Sequence, residues 1–283
     1  MKAFPLLLSC LLLAGPALAE EPLPGPQAFA AEVDMHLEVP AAEQKRYARR
    51  LAAALAEAGV VAPSVPAAEY FALVDRSPRV QAVFLYWRSA QGSWQFIGAS
   101  PVSTGLPGEF EHYLTPLGAF EHTPANPDFR AEGTFNDLGI RGYGREGMRV
   151  YDFGWVSGER TWEAGEKRSG LLRFQMHATD PVYLEPLLGV RHSEGCIRIP
   201  ATLNTFLDRH GILDAEYEAR ARDGRAPRVL RADRETTASP GRWLVVVDSQ
   251  RRARPAWSPR PQARAASRAR PASSATTSSS STC

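Results

Sequence analysis

Two hydrophobic periods run through the chain. From Pro40 to Ala58, the apolar positions Tyr47, Leu51, Leu55 and Ala58 recur at spacings of four, four and three. That is one stripe along an α-helix. Pro40 suits its first turn and Gly59 its stop; Pro63 and Pro66 then break the chain. From Val80 the period shortens. Val80–Trp87 is β-branched and aromatic, Ala90-Gln91-Gly92-Ser93 reads as a turn, and Trp94–Ser100 resumes as a second strand, so a hairpin is predicted. Leu171–His177 alternates: Leu172, Phe174 and Met176 share one face, and Arg173, Gln175 and His177 the other. Such a strand buries one face and turns a polar edge to a groove. Pro200–His210 predicts a short helix with Leu203, Phe206 and Leu207 apolar, and Trp243–Val247 a final buried strand. The Gly- and Pro-rich stretches around Gly105–Gly118 and Asn126–Arg149 read as loops joining short strands. Many short strands and few helices predict a mainly β fold, most simply a sandwich.

Composition changes this picture at the two ends. The chain has 283 residues with 44% hydrophobic and 23% charged positions, which is ordinary for a globular protein. Its formal charge of +2 hides an uneven distribution: seven Arg and no acid follow position 249, whereas residues 20–249 carry a net −6. The acidic body and an export signal argue against a nucleic-acid partner. Met1–Ala19 has Lys2 as its positive region, the apolar run Leu6–Leu13, and the small-x-small site Ala17-Leu18-Ala19. An export route, most simply to a periplasm, is therefore expected. The apolar run is too short for a spanning helix, which needs roughly 20 residues. The expected organisation is a signal peptide over 1–19, a linker and helical extension over 20–71, a β-rich domain over 72–249 and a basic disordered tail over 250–283, where Arg, Pro, Ala and Ser cannot bury enough apolar surface to order themselves.

Removing the signal leaves Cys196 and Cys283. Exported proteins that use disulfides for stability usually carry several, so Cys196 reads as a thiol outside any disulfide framework, with work to do; the bland alternative is a buried inert cysteine. Its surroundings are His192-Ser193-Glu194-Gly195-Cys196-Ile197-Arg198. A thiol nucleophile needs a base within reach, oxyanion donors and a depressed pKa. Gly195 permits a tight turn that converges amide N–H groups at Cys196, Arg191 and Arg198 flank the sulfur and favour thiolate, and His177 lies on the polar edge of the upstream strand. A zinc site built from His177, His192 and Cys196 is poorly supported without a second cysteine. His36, His112, His122 and His210 read as scattered surface or capping residues. Tyr143, Trp155 and Trp162 read as packing or groove walls.

These residues resemble the L,D-transpeptidase catalytic domain family (YkuD-type). Its signature is a His, 14–17 residues, then Ser/Thr-His-Gly-Cys with an aliphatic residue and Arg following. Here His177 is followed by 15 residues and then Ser193-Glu194-Gly195-Cys196-Ile197-Arg198, and His177-Ala178-Thr179 is similar to the family's His-Gly-Thr. Val102-Ser103-Thr104-Gly105 and Thr115-Pro116-Leu117-Gly118-Ala119-Phe120 resemble the family's strand and Thr-Pro-x-Gly segments. The likeness covers roughly Val80 to Pro200.

The resemblance implies a YkuD-like β-sandwich of mixed sheets, with an N-terminal accessory helix and a short helix after the cysteine. Cys196 would attack the third residue of a peptidoglycan tetrapeptide stem with loss of D-Ala. His177 would be the base, the backbone amides of Gly195 and Cys196 the oxyanion donors, and Ser193 a further residue of the catalytic loop. Arg198 would bind a substrate carboxylate or hold the loop, and Glu194 and Thr179 would contact substrate. No metal or cofactor is implied. The acyl group would pass to an amine of another stem or of a wall-attached protein. The alternatives are a hydrolase on the same stem peptides and a non-catalytic cell-wall-binding protein. Glu194 stands where the family has His. A carboxylate there is expected to disfavour thiolate, favour imidazolium and attract a cationic amine.

Overall fold

In a computed structural model, residues 21–60, 67–162 and 165–261 are described. The expected signal peptide lies outside them, as does the tail beyond Pro261. The fold is mainly β, with two mixed sheets and four α-helices among the described residues. Helices α1 (Pro26–Glu32) and α2 (Ala41–Glu57) precede the strands. One sheet has the order β3 (Trp94–Pro101), β2 (Ala82–Arg88), β1 (Glu69–Asp75), β9 (Trp243–Val247), β4 (Gly118–Glu121). The other has the order β5 (Phe129–Arg130), β6 (Arg149–Thr161), β7 (Lys167–Ala178), β8 (Ile197–Ile199). Helices α3 (Ala201–His210) and α4 (Ala215–Arg222) follow β8. No helix among the described residues is long and apolar enough to cross a membrane.

Alternation along the strands divides the interior. Tyr70, Ala72, Val74, Leu244 and Val246 meet Leu172, Phe174, Met176 and Ile197 of the opposing sheet, joined by Phe29 of α1 and Phe206 of α3. Phe71, Leu73, Phe84, Tyr86 and Val245 point the other way, under α2. Tyr47, Leu51 and Leu55 are the residues α2 buries there, each contributing roughly 1.5–3 kcal/mol. The first sheet is thus covered on both faces. Its strand β1 is a continuous apolar run with no period of two, so alternation does not mark it.

The segment expected as a linker and helical extension carries α1 and α2, and its described part is no detached linker: the Phe29 ring packs against Gly98 of β3, and the Tyr70 hydroxyl donates to the Pro24 carbonyl at 2.7 Å. Nor is the described part of the expected tail disordered. Up to Pro261 it is laid over α2 and the first sheet, with the Trp257 ring 6.0 Å from Tyr47 and 5.8 Å from Phe84. Arg251 pairs with Glu43, and the buried Ser258 hydroxyl lies 2.9 Å from both the Arg79 and Val80 carbonyls. One aromatic ring and specific hydrogen bonds order a segment whose average composition is that of a solvated tail.

Behind the second sheet, Arg149 is completely buried. Its guanidinium donates to both oxygens of Asp214 at 2.7 and 2.8 Å and to Asp128 at 2.7 Å, with Asp208 at 3.3 Å. Arg130 caps Asp208 at 2.9 and 3.1 Å. His122, read as a surface or capping residue, sits in the same cluster. Its Nε2 is 2.9 Å from Asp128 and its Nδ1 2.8 Å from the Leu213 carbonyl. Both partners only accept, so both ring nitrogens donate and the ring is an imidazolium. Burial opposes that charge, but the Asp128 carboxylate overrides it and raises the pKa. Three cations then balance three carboxylates away from water, and this knot ties the β4–β5 connection, β6, α3 and α4 together. Arg149→Met leaves Asp128 and Asp214 buried without their guanidinium, so a loss of about 3–5 kcal/mol in unfolding free energy is expected from urea denaturation.

Candidate active site

Strands β7 and β8 run parallel, with Met176 opposite Ile197, His177 opposite Arg198 and Ala178 opposite Ile199. Cys196 immediately precedes β8. It therefore stands two positions along and one strand across from His177, about 8 Å between α-carbons at ordinary strand spacings. The segments singled out in the sequence converge on its loop. Ser103 bridges to Arg198 and Gly105 to Ser193. The Thr115 hydroxyl donates to the Gly195 carbonyl at 2.6 Å and accepts the Gly105 N–H at 2.8 Å. Gln81 secures Thr104 by accepting its N–H at 2.9 Å. The Ser193 hydroxyl donates to the Cys196 carbonyl at 2.5 Å and accepts the Gly195 N–H at 3.3 Å. Ser193 is thus a loop-shaping residue, and the Gly195 N–H is directed into the loop. Gly195 has φ +144°, which favours glycine.

His177 is fully buried, not on a solvent-facing edge as expected. Its Nδ1 lies 2.6 Å from the Ala178 carbonyl, which can only accept, so Nδ1 carries the proton. Nε2 then holds a lone pair, and it has no hydrogen-bond partner among the described residues. Burial pushes the pKa down to about 3; the Ala178 bond works against this and the Arg198 charge adds to it. Burial and Arg198 govern this ring, whereas Glu194, expected to favour imidazolium, has no part in the shift. Tyr143 packs edge-on against the ring at 4.7 Å and donates to Gln175 at 3.1 Å. Gln175 and Arg173 in turn both bond Asp152, at 3.0 and 2.8 Å. Tyr143, read as a packing or groove-wall residue, lines a cavity and packs on His177 as that reading has it; Asp152 was not singled out in the sequence.

Cys196 is also fully buried, against the core between the sheets, with Sγ 3.4 Å from the Arg173 carbonyl oxygen. Its sulfur is disulfide-bonded in this structure. The thiol expected at a solvent-open groove is therefore held oxidised and enclosed. Arg191, expected to flank it, turns instead to the Arg76 carbonyl at 2.9 Å and to Asp248. Thr179 is buried with its hydroxyl unpartnered among the described residues, off the cavity wall. That cavity, of about 720 Å³, is lined by His192, Glu194 and Arg198 and by most residues from Phe129 to Gly144. His112, read as scattered, lines it too, while His210 pairs with Glu32 at 3.1 Å. Among the described residues no group of three metal-ligating side chains converges.

Two outcomes test this arrangement. An added Cβ at Gly195 would lie 2.9 Å from both Leu172 and Tyr113. With the backbone strain, Gly195→Ala should cost about 2–4 kcal/mol, read as a lower urea midpoint. His177 is depressed in the fold, so its contribution to stability is present above its unfolded pKa of about 6.5 and is lost as the pH falls through that value towards the folded pKa of about 3. The stability difference between wild type and His177→Gln should shrink across that window.

No family model matches the chain, and no curated protein matches it in sequence. Among solved structures, the chain matches the helical cell shape determining protein Pgp2 from Campylobacter jejuni at 15% identity, covering 71% of this chain and 56% of that one, with a TM-score of 0.27. A lysine-to-alanine variant of the same protein matches at 15% identity over 70% and 54%, with a TM-score of 0.25. The chain spans little more than half the length of these structures.

Proposed function

We propose that this chain, in its reduced form, is a cysteine-dependent acyltransferase acting on peptidoglycan stem peptides after export. The observation that carries the reading is His177 Nε2: a buried lone pair, its tautomer fixed by Ala178, on the strand that pairs with the Cys196 segment. An imidazole in that state has no competing bond to break, and taking the thiol proton works against the burial that disfavours its charged form. Support from the sequence is the joint presence of His177, Ser193-Glu194-Gly195-Cys196-Ile197-Arg198 and the two upstream segments, which pack against one another.

The steps follow from these groups. An external dithiol reduces the disulfide by exchange, becoming a disulfide itself and leaving two free thiols, one of them Cys196. The Cys196 thiol proton passes to His177 Nε2 as Sγ attacks the carbonyl of the third stem residue. The tetrahedral intermediate collapses, and Nε2 returns the proton to the departing D-Ala amine. A thioester remains on Sγ. An amine of a second stem or of a wall-attached protein then takes the acyl group, and water would give hydrolysis instead. Because burial holds His177 near 3, Nε2 stays unprotonated through the neutral range. The acid limb of the acylation rate should therefore not appear at the usual histidine pKa of about 6.5.

The test is intact-mass analysis of the reduced full chain with a carbapenem and with defined tetrapeptide muropeptides. The expected outcome is a covalent adduct in wild type, absent in Cys196→Ala and slowed by about a hundredfold or more in His177→Gln, with D-Ala released from the muropeptide. Cross-linked product identifies transfer, and tripeptide alone identifies hydrolysis. No adduct and no D-Ala release from the reduced protein would leave only a wall-binding role.

A further inference from the structure

The disulfide at Cys196 has a second sulfur that the acyl-transfer steps do not use. The chain holds three cysteines, at positions 10, 196 and 283. Cys196 is disulfide-bonded, so within one chain its partner is Cys10 or Cys283. Cys10 falls inside the expected export signal, which processing removes. Cys283 ends the basic tail and survives that processing.

The place where the described tail ends favours Cys283. Arg254 fastens the tail to the β7–β8 crossover: its guanidinium donates to the Gly189 carbonyl at 3.2 Å, to the Pro78 carbonyl at 2.7 Å and, within the tail, to the Pro259 carbonyl at 2.5 Å. Gly189 has φ +107°, and a Cβ there would lie 3.1 Å from Pro259, so a bare backbone lets the tail close onto the crossover. Gly189 stands seven positions before Cys196, at most about 25 Å away between α-carbons. The 22 residues 262–283 reach about 70 Å when extended and about 25 Å on average as a flexible coil. A tether whose mean length matches the span gives its end group a high effective concentration at the far site. Charge acts in the same sense: residues 262–283 carry three Arg and no acid, against a net −6 over residues 20–249.

We propose that Cys283 and Cys196 form a redox latch, a disulfide that caps the candidate nucleophile until a dithiol opens it. The pairing stands on the observations above; its control over acyl transfer rests on the function proposed for Cys196. Opening takes two exchanges. Cys196 is fully buried, so a thiolate of the reductant attacks the Cys283 sulfur, and the S–S bond breaks with its electron pair leaving on Cys196. The second thiolate of the reductant then attacks the mixed disulfide and releases Cys283. The reductant ends as a disulfide, and its two protons end on the two cysteine thiols. Closing is the reverse reaction, with an external disulfide as the oxidant. While closed, the latch keeps the Cys196 sulfur off the path to sulfenic and sulfonic acids, which an uncapped thiol in an oxidising compartment would follow.

Disulfide mapping tests the pairing. The full chain, equilibrated with glutathione disulfide, is taken as the monomer from a non-reducing gel and digested with trypsin without reductant. The expected product is His192–Arg198 joined to Ala269–Cys283. A link from Cys196 to Cys10, a chain found only as a disulfide dimer, or a free Cys196 thiol would overturn the latch. Arg254→Ala frees the tail from the crossover and should lower the effective concentration of Cys283 at Cys196, read against a glutathione redox series, by about tenfold; an unchanged value would overturn the tail's guidance. Intact mass with a carbapenem reads the control. Wild type should form its adduct only after a dithiol is added, and Cys283→Ser at least about tenfold faster than wild type without one; a Cys283→Ser chain that still needs the dithiol would overturn that control. The map needs no turnover. The cross-linked peptide with no adduct from the reduced chain would sink the acyl-transfer reading and leave the latch standing, whereas adducts from the reduced chain with no cross-linked peptide would do the opposite.

Discussion

A strand that must return parallel to its predecessor needs a crossover, and here the chain leaves β7 at Ala178 and pairs with it again at Ile197. The geometry of the candidate site depends on how that crossover ends. Ser193, Gly195 and Thr115 close it by side-chain bonds to backbone, Gly195 takes a conformation that few residues tolerate, and the Ser103 and Gly105 bridges hold it from the other side. His177 and Arg198 are paired by that closure, and Cys196 is carried to the end of the same ladder.

Two buried histidines show how the surroundings decide one side chain's chemistry. His122 faces acceptors at both nitrogens and a net of carboxylates, so it is charged and its pKa is raised. His177 faces one carbonyl and a guanidinium across the ladder, so it is neutral and its pKa is lowered. Burial acts against charge in both, and only the partners differ. The first ring is structural, bound into the Arg149 knot; the second keeps an uncommitted lone pair. Arg130 links the two regions, since it caps Asp208 of the knot and also lines the cavity.

Much of the fold was legible where one face of an element is polar. Helix α2 carries a clear period because water on one side enforces it, and the start of strand β7 and helix α3 are periodic in the same way, whereas the β2–β3 hairpin, in a sheet covered on both faces, was legible from two apolar runs around the Ala90–Ser93 turn. Strand β1 has helix and sheet on its two faces and shows no period. The 13-residue strand β6 was hidden in the same manner at its start, where Arg149–Gly154 is buried throughout, with the charged Arg149 and Asp152 among the apolar ones. The segment to Pro261 looked solvated because composition averages over Trp257 and Ser258, the two residues that dock it.

Legible along the chain were residue types and their order: a histidine, a fixed interval, a glycine before a cysteine, and two upstream segments rich in Gly and Thr. Local chain stiffness and strand alternation are enough to read these. The tertiary structure alone decided the protonation of His122 and His177, the enclosure and oxidation of Cys196, and the grouping of His112 and His192 with Arg198. Each depends on which groups meet after burial, and desolvation and hydrogen-bond partners come from residues far apart along the chain.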